Sequence, residues 1–99
     1  MIERKFVPRW GTTFKEKDIK KIEAFARKGW RLENASFIGF TLKRGKSDKI
    51  HYFIDYETDP HEEYFSNLQT SGWEHVCSVK NYIHFFAAPT ASTLKKNNK

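Results

Sequence analysis

The sequence has one cysteine, Cys77, and one methionine. No intrachain disulfide can form, so the fold does not depend on an oxidising compartment. The segment Met1-Ile2-Glu3-Arg4-Lys5 lacks the apolar core of a signal peptide, and no run of about 18 apolar residues is long enough to span a bilayer. These absences predict a cytoplasmic domain, or one on the cytosolic face of a membrane if the natural protein is longer. The five glycines are scattered, so there is no glycine-rich phosphate loop; Gly45 reads as a hairpin turn. Ser36, Ser47, Ser66, Ser71 and Ser78 stand in no nucleophile-elbow context, and no His-X-X-X-His spacing occurs. The sequence therefore predicts no enzyme, no cofactor and no metal.

Acidic residues are scarce in the first half. Residues 1–49 carry 14 Lys/Arg against 6 Asp/Glu, whereas residues 50–99 carry 4 against 6. A basic half invites a nucleic-acid reading through Lys17, Lys20, Lys21, Arg27 and Lys28, but no aromatic interleaving is visible on that basic face, Phe25 belonging to the apolar stripe of the same helix. Aromatic residues are plentiful overall: nine Phe, four Tyr and three Trp in 99 residues. A chain this short has a limited core, and large rings let few side chains carry most of its burial.

The pattern repeats. Lys28-Gly29-Trp30 is echoed 43 residues later by Ser71-Gly72-Trp73, each Gly-Trp preceded by a helical pattern and followed by two short strand-like runs. In the first copy Lys5–Trp10 reads as a strand and Thr13 as a helix start, with Glu16 at capping-box spacing. Ile19, Ile22, Phe25 and Ala26 form the buried stripe, Gly29 ends the helix, and Arg31–Ser36 and Phe37–Arg44 follow as strands. In the second copy Ile50–Glu57 is a strand and Asp59-Pro60-His61-Glu62 opens a helix carrying Tyr64, Phe65 and Leu68. After Gly72 come the strands Glu74–Val79 and Tyr82–Ala88. This offset pairs Phe40 with Ile83 and Leu42 with Phe85 as equivalent inward positions.

The expected architecture is an α+β domain over residues 1–89. It contains two tandem strand–helix–strand–strand units (βαββ-βαββ, about 4–45 and 49–89), a mostly antiparallel sheet and both helices on one face. Residues 90–99 read as a disordered, Lys-rich tail. The other sheet face would carry Gly39, Thr41, Lys43, His51, Phe53, Asp55, Tyr82, His84 and Phe86. That is apolar enough to suggest a ligand or partner surface, although the tail, a second copy of the chain or a register slip of one residue would each explain it differently. His51, His84 and Asp55 form a metal or acid–base cluster if adjacent strands bring them together, but no spacing motif supports it and surface polar residues are the favoured reading. Asp55 has a further reading as a strand-end carboxylate accepting from nearby backbone or Arg31. Trp30 and Trp73 read as core; Trp10, which has no counterpart in the second copy, is the aromatic to test as a ligand contact, with burial the slightly favoured reading. Cys77 reads as a buried, inert thiol facing away from His75.

The motifs Lys-Gly-Trp-Arg-Leu, Tyr-Phe-Ile-Asp-Tyr, Asp-Pro-X-Glu-Glu-Tyr and Gly-Trp-Glu-X-Val-Cys resemble the bacterial "domain of unknown function 2812" family over roughly residues 4–88. The resemblance implies a bacterial protein, with hydrophobic segments after this domain in longer members and PadR-type regulators often encoded nearby. It carries no catalytic residue. A looser similarity in element order links the chain to ferredoxin-like and GyrI-like duplicated folds, the latter holding small molecules in a groove between their halves. The expectation is a non-enzymatic interaction or sensory module for a small apolar ligand or a protein partner, bound through the sheet face or the groove between the repeats, using Trp10, Thr41, His51, Phe53, Asp55, Tyr82, His84 and Phe86. A ligand would call for a concave apolar pocket with a few convergent polar groups, Tyr52, Tyr56 or Tyr82. The alternatives are a structural homodimer and, third, a weak nucleic-acid binder.

Overall fold

The computed structural model describes residues 2–89. The predicted tail, 90–99, lies outside the described residues. The element order is β1 (Arg4–Pro8), α1 (Glu16–Arg27), β2 (Trp30–Ser36), β3 (Gly39–Arg44), β4 (His51–Tyr56), α2 (Glu62–Thr70), β5 (Glu74–Val79) and β6 (Ile83–Ala88). The strands form two antiparallel three-stranded sheets, ordered β1-β3-β2 and β4-β6-β5, rather than one continuous sheet. β2 lies against β5, and Ala35 of the one and Cys77 of the other are both buried in the same core.

Both helices end as the sequence predicts. Gly29 and Gly72 sit just past the last turn at φ 92° and 101°, a region where a Cβ would be strained. Their starts come later than predicted. α1 begins at Glu16 rather than Thr13, because the Arg9 side chain gathers the preceding loop. Its guanidinium donates to the carbonyls of Gly11 (2.7 Å), Thr13 (2.7 Å) and Phe37 (3.1 Å) and to Asp18 (3.3 Å). Asp18, not Glu16, takes the reciprocal capping role by accepting the Lys15 amide at 2.8 Å. α2 begins at Glu62 with His61 as its cap, while Asp59 stays exposed.

One core holds Ile22 and Ala26 of α1, Phe14, Leu32, Phe40 and Leu42 from the first half, and Tyr52, Cys77, Val79, Ile83 and Phe85 from the second. The Phe14, Phe40 and Phe85 rings meet at its centre with centroids 5.1–6.2 Å apart. A second cluster joins Trp73, Phe86 and Ala88 to Phe53 and to Tyr64, Phe65 and Leu68 of α2. Because Ile83 and Phe85 belong to the first cluster and Phe86 and Ala88 to the second, α1 and α2 cover opposite faces of the β4-β6-β5 sheet. The expectation of both helices on one face is thereby corrected.

The cause is a turn length. β2 and β3 are joined by two residues, Phe37–Ile38, whereas β5 and β6 are joined by three, Lys80–Tyr82, with Lys80 and Asn81 at φ 55° and 64°. The pairing shows the shift. Ala35 faces Phe40 in one hairpin and Ser78 faces His84 in the other; Leu32 faces Leu42 and His75 faces Phe86. The offset between halves is therefore 43 residues up to the turn and 44 after it. Phe40 corresponds to His84, not Ile83, and Leu42 to Phe86, not Phe85. A one-residue shift exchanges the two faces of a strand. β6 gives no warning in its own sequence: both of its faces are covered, so Ile-His-Phe-Phe-Ala-Ala reads as an unbroken run.

Candidate functional site

The predicted site residues separate into four places. Thr41 lies on the first sheet, opposite Phe6. Phe53, Asp55, His84 and Phe86 share the face of the second sheet that packs under α2, and His51 lies on the same strand opposite Ala88. His84 and Phe86 are fully buried, so this is no open face, which corrects the expectation. Tyr82 belongs to the turn before β6, its ring 6.4 Å from that of Tyr56. Trp10 is 86% exposed in the loop after β1.

Under α2 the structure builds a polar chain. His75 Nε2 lies 2.9 Å from Ser78 Oγ, Ser78 Oγ lies 2.7 Å from His84 Nδ1, and His84 Nε2 lies 3.1 Å from the Glu57 carbonyl oxygen. The carbonyl can only accept, so His84 Nε2 carries a proton. In the neutral ring Nδ1 then accepts from the Ser78 hydroxyl, and Ser78 accepts from His75. Every member is satisfied, which is what burial requires. These residues stand where the first half has Leu32, Ala35 and Phe40. Alongside, Tyr64 donates to the Asp55 carboxylate at 2.8 Å, and burial together with that carboxylate pushes the phenol well above its ordinary range. Asp55 thus pairs with Tyr64 rather than Arg31, which donates to the Lys46 carbonyl and approaches Asp48 at 3.7 Å. His51 is not drawn into the group, and among the described residues no cluster of three His, Cys, Asp or Glu could hold a metal.

Cys77 faces the main core, on the side away from His75, and burial pushes its thiol up to about 12. At neutral pH it is protonated and not a nucleophile. Trp73 is buried beside Phe53, with ring centroids 5.3 Å apart, and Trp30 packs against the main core under the cations of Lys5 and Arg44.

Two cavities border the place where the halves meet. The first, of about 330 Å³, is lined by Arg31, Leu32, Glu33 and Lys43 of the first half, by Ile50, and by Tyr52, Glu74, His75, Val76, Ala87, Ala88 and Pro89 of the second. Its floor is apolar: Leu32, Ile50 and Ala88 are buried, and Tyr52 stands among them with its hydroxyl accepting the Leu32 amide at 3.2 Å. Burial raises the Tyr52 phenol, so this group stays neutral at physiological pH. Charges surround the floor. Glu33 is held by Arg4, at 2.7 and 3.0 Å, and that hydrogen bond lowers its carboxyl. The side chains of Lys43 and Glu74 make no hydrogen bond or ion pair among the described residues, although the Lys43 charge helps to lower the Glu33 carboxyl.

The second cavity, of about 430 Å³, lies between α1 and β4 and is lined by Phe14, Ile19, Glu23, Tyr52, Ile54 and Tyr56 among others. Its polar groups already hold the halves together: Glu23 accepts the Tyr52 amide at 2.9 Å and the Tyr56 hydroxyl accepts the Phe14 amide at 3.3 Å.

Sequence reasoning missed Arg9, Ser78, Tyr64 and, apart from Tyr52, the groove lining. Ser78 and His75 left a signal, since polar residues interrupt a strand that is otherwise apolar at Val76, Cys77 and Val79. The rest of the lining left none, because its residues come from five separate stretches of chain. Among the described residues no helix is long and apolar enough to cross a membrane.

Compared with curated proteins and with solved structures, the chain finds no match. A family model described as "Protein of unknown function (DUF2812)" matches residues 14–97, from the start of the core at Phe14 onward, and the chain belongs to that family.

Proposed function

We propose that this chain is a non-enzymatic recognition module made of two copies of one strand–helix–strand–strand unit, and that its ligand occupies the groove between them. The observation that carries the reading is the cavity of about 330 Å³ lined from both halves. It combines an apolar floor with a few convergent polar groups, the usual composition of a small-molecule site. Lys43 and Glu74 are the charged side chains at its rim that make no hydrogen bond or ion pair among the described residues, so the ligand is a small amphipathic molecule: an apolar body on Leu32, Ile50 and Ala88, and a carboxylate toward Lys43. The looser resemblance to GyrI-like domains, which hold small molecules between their halves, supports the same placement. Fold likeness alone carries little weight for function, and the cavity is the stronger argument. The polar chain under α2 serves as structure on this reading, since every member is already hydrogen-bonded. Nucleic acid is a weaker reading, because no exposed position of α1 is aromatic.

The test is a thermal-shift screen of small carboxylates with the wild-type chain and Ala87→Trp, which fills the groove. Compounds that raise Tm in the wild type and not in Ala87→Trp support the proposal. Stabilisation that survives Ala87→Trp places the ligand elsewhere and contradicts it.

A further inference from the structure

The two sheets end differently. The outer edge of β4 is covered: its Tyr52 amide, which points away from β6, donates to Glu23 of α1. The outer edge of β1 has no strand paired to it among the described residues. The hydrogen bonds of β1 to β3 fix which groups face outward. Arg44 donates to the Glu3 carbonyl and Arg9 to the Ile38 carbonyl, both at 2.9 Å, so the odd-numbered residues of this strand point inward. The amide and carbonyl of Arg4 and Phe6 therefore point outward. Pro8 follows at the next outward position, where its missing N–H leaves no ladder bond unmade.

This edge has side chains that would receive an added strand. The Phe6 ring lies across Gly39, so closely that a Cβ there would stand 2.2 Å from the ring's Cζ, and yet Phe6 is 53% exposed. Ile2, Ile38 and Trp10 add exposed apolar surface at the same margin. The charge is one-sided: β1, β2 and β3 together carry Arg4, Lys5, Arg31, Lys43 and Arg44 against Glu33 alone. Pairing of β1 with β1 of a second copy would set two strands that each carry Arg4 and Lys5 side by side, and charged edges of this kind resist self-association.

We propose that the outer edge of β1 binds an extended acidic segment of a protein partner as an added strand. The outward amides and carbonyls of Arg4 and Phe6 supply the main-chain hydrogen bonds. Phe6 provides the apolar contact, and the surplus of Arg4, Lys5 and Lys43 over Glu33, which Arg4 already holds at 2.7 and 3.0 Å, favours carboxylates on the incoming strand.

The test uses the full chain and a fluorescein-labelled (Glu-Val)4 peptide, with (Lys-Val)4 and a twelve-residue oligothymidylate as competitors. In the free chain the Arg4 and Phe6 amides exchange rapidly with solvent while the Arg9 amide is protected. Saturating (Glu-Val)4 slows exchange at Arg4 and Phe6 by at least tenfold. Arg4→Ala removes the charge and keeps the amide, so it weakens binding a few-fold; Arg4→Pro removes both and weakens it more than tenfold. Any of four results overturns the proposal: protection of Arg4 and Phe6 in the free chain, equal binding by the two variants, (Lys-Val)4 binding as tightly, or displacement of the peptide by oligothymidylate at lower concentration. Lys43 and Glu33, the partner of Arg4, also line the groove, so the titration is repeated on Ala87→Trp, which fills the groove. Protection of Arg4 and Phe6 that persists there belongs to the edge, and protection that is lost there also overturns the proposal.

Discussion

At the scale of single residues, the fold depends on a polar group that periodicity does not reveal. Arg9 and Asp18 form an ion pair at 3.3 Å with both side chains 7% exposed, and the guanidinium also lies over the Phe14 ring at 4.1 Å. Removing one partner of a buried pair strands the other charge. Arg9→Met should therefore cost about 3–5 kcal/mol in urea unfolding. The double variant Arg9→Met/Asp18→Leu should recover part of that loss, since no unpaired charge remains. Arg9 reads in the sequence as the end of a strand, because a side chain that bonds three carbonyls 2, 4 and 28 residues away leaves no local pattern. His75 gives a pH dependence. Burial, and then the nearby His84, lower its pKa below the ordinary 6.5. The unfolded chain then binds the proton more readily than the folded one, so His75 favours folding above about pH 6.5 and that contribution is lost as pH falls through the lowered value. Urea midpoints measured from pH 8 to 5 should fall, and His75→Gln should fall less steeply.

Among the elements, turns decide what strands expose. The two Gly-Trp junctions were legible because a helix end needs a residue tolerant of positive φ. Gly29→Ala and Gly72→Ala should each cost about 1 kcal/mol by chemical denaturation. Gly29 is the more sensitive, since a Cβ there meets the Gly45 carbonyl oxygen at 3.1 Å. The register of β6 was not legible. Its side chains are apolar on both faces, and the difference between a two-residue and a three-residue turn is invisible until pairing is known. Deleting Asn81 should force β6 to turn Ile83 and Phe85 toward α2 and bury His84 in the main core. Loss of the cooperative unfolding transition, followed by circular dichroism, is the expected result; a variant that unfolds like the wild type would contradict the register.

For the whole molecule, the order of elements and about half of the core, including Ile22, Ala26, Phe40, Leu42, Ile83 and Phe85, could be read from one sequence, whereas Phe14, Leu32, Ile50, Val79 and the buried Phe86 could not. The groove between the repeats is foreseeable as a place for a ligand, with Tyr52 in it, but the rest of its lining is not. A groove between two units has no periodicity of its own; it exists because Leu32, Ile50 and Ala88 are brought together from distant stretches around Tyr52. The predicted site residues failed to converge for the same reason: they were grouped as one sheet face, and the chain builds two sheets. His84 and Phe86 were rightly grouped with Phe53 and Asp55, and α2 covers them. The central claim is that the groove between the halves is the ligand site. Its most direct test is a fragment screen on the ¹⁵N-labelled full chain, followed by amide chemical shifts. The account predicts that hits move Leu32, Glu33, Val76, Ala87 and Ala88 together and leave α2 unchanged. Hits that instead collect along α1 and β4, or a screen that moves none of the groove amides, would contradict it.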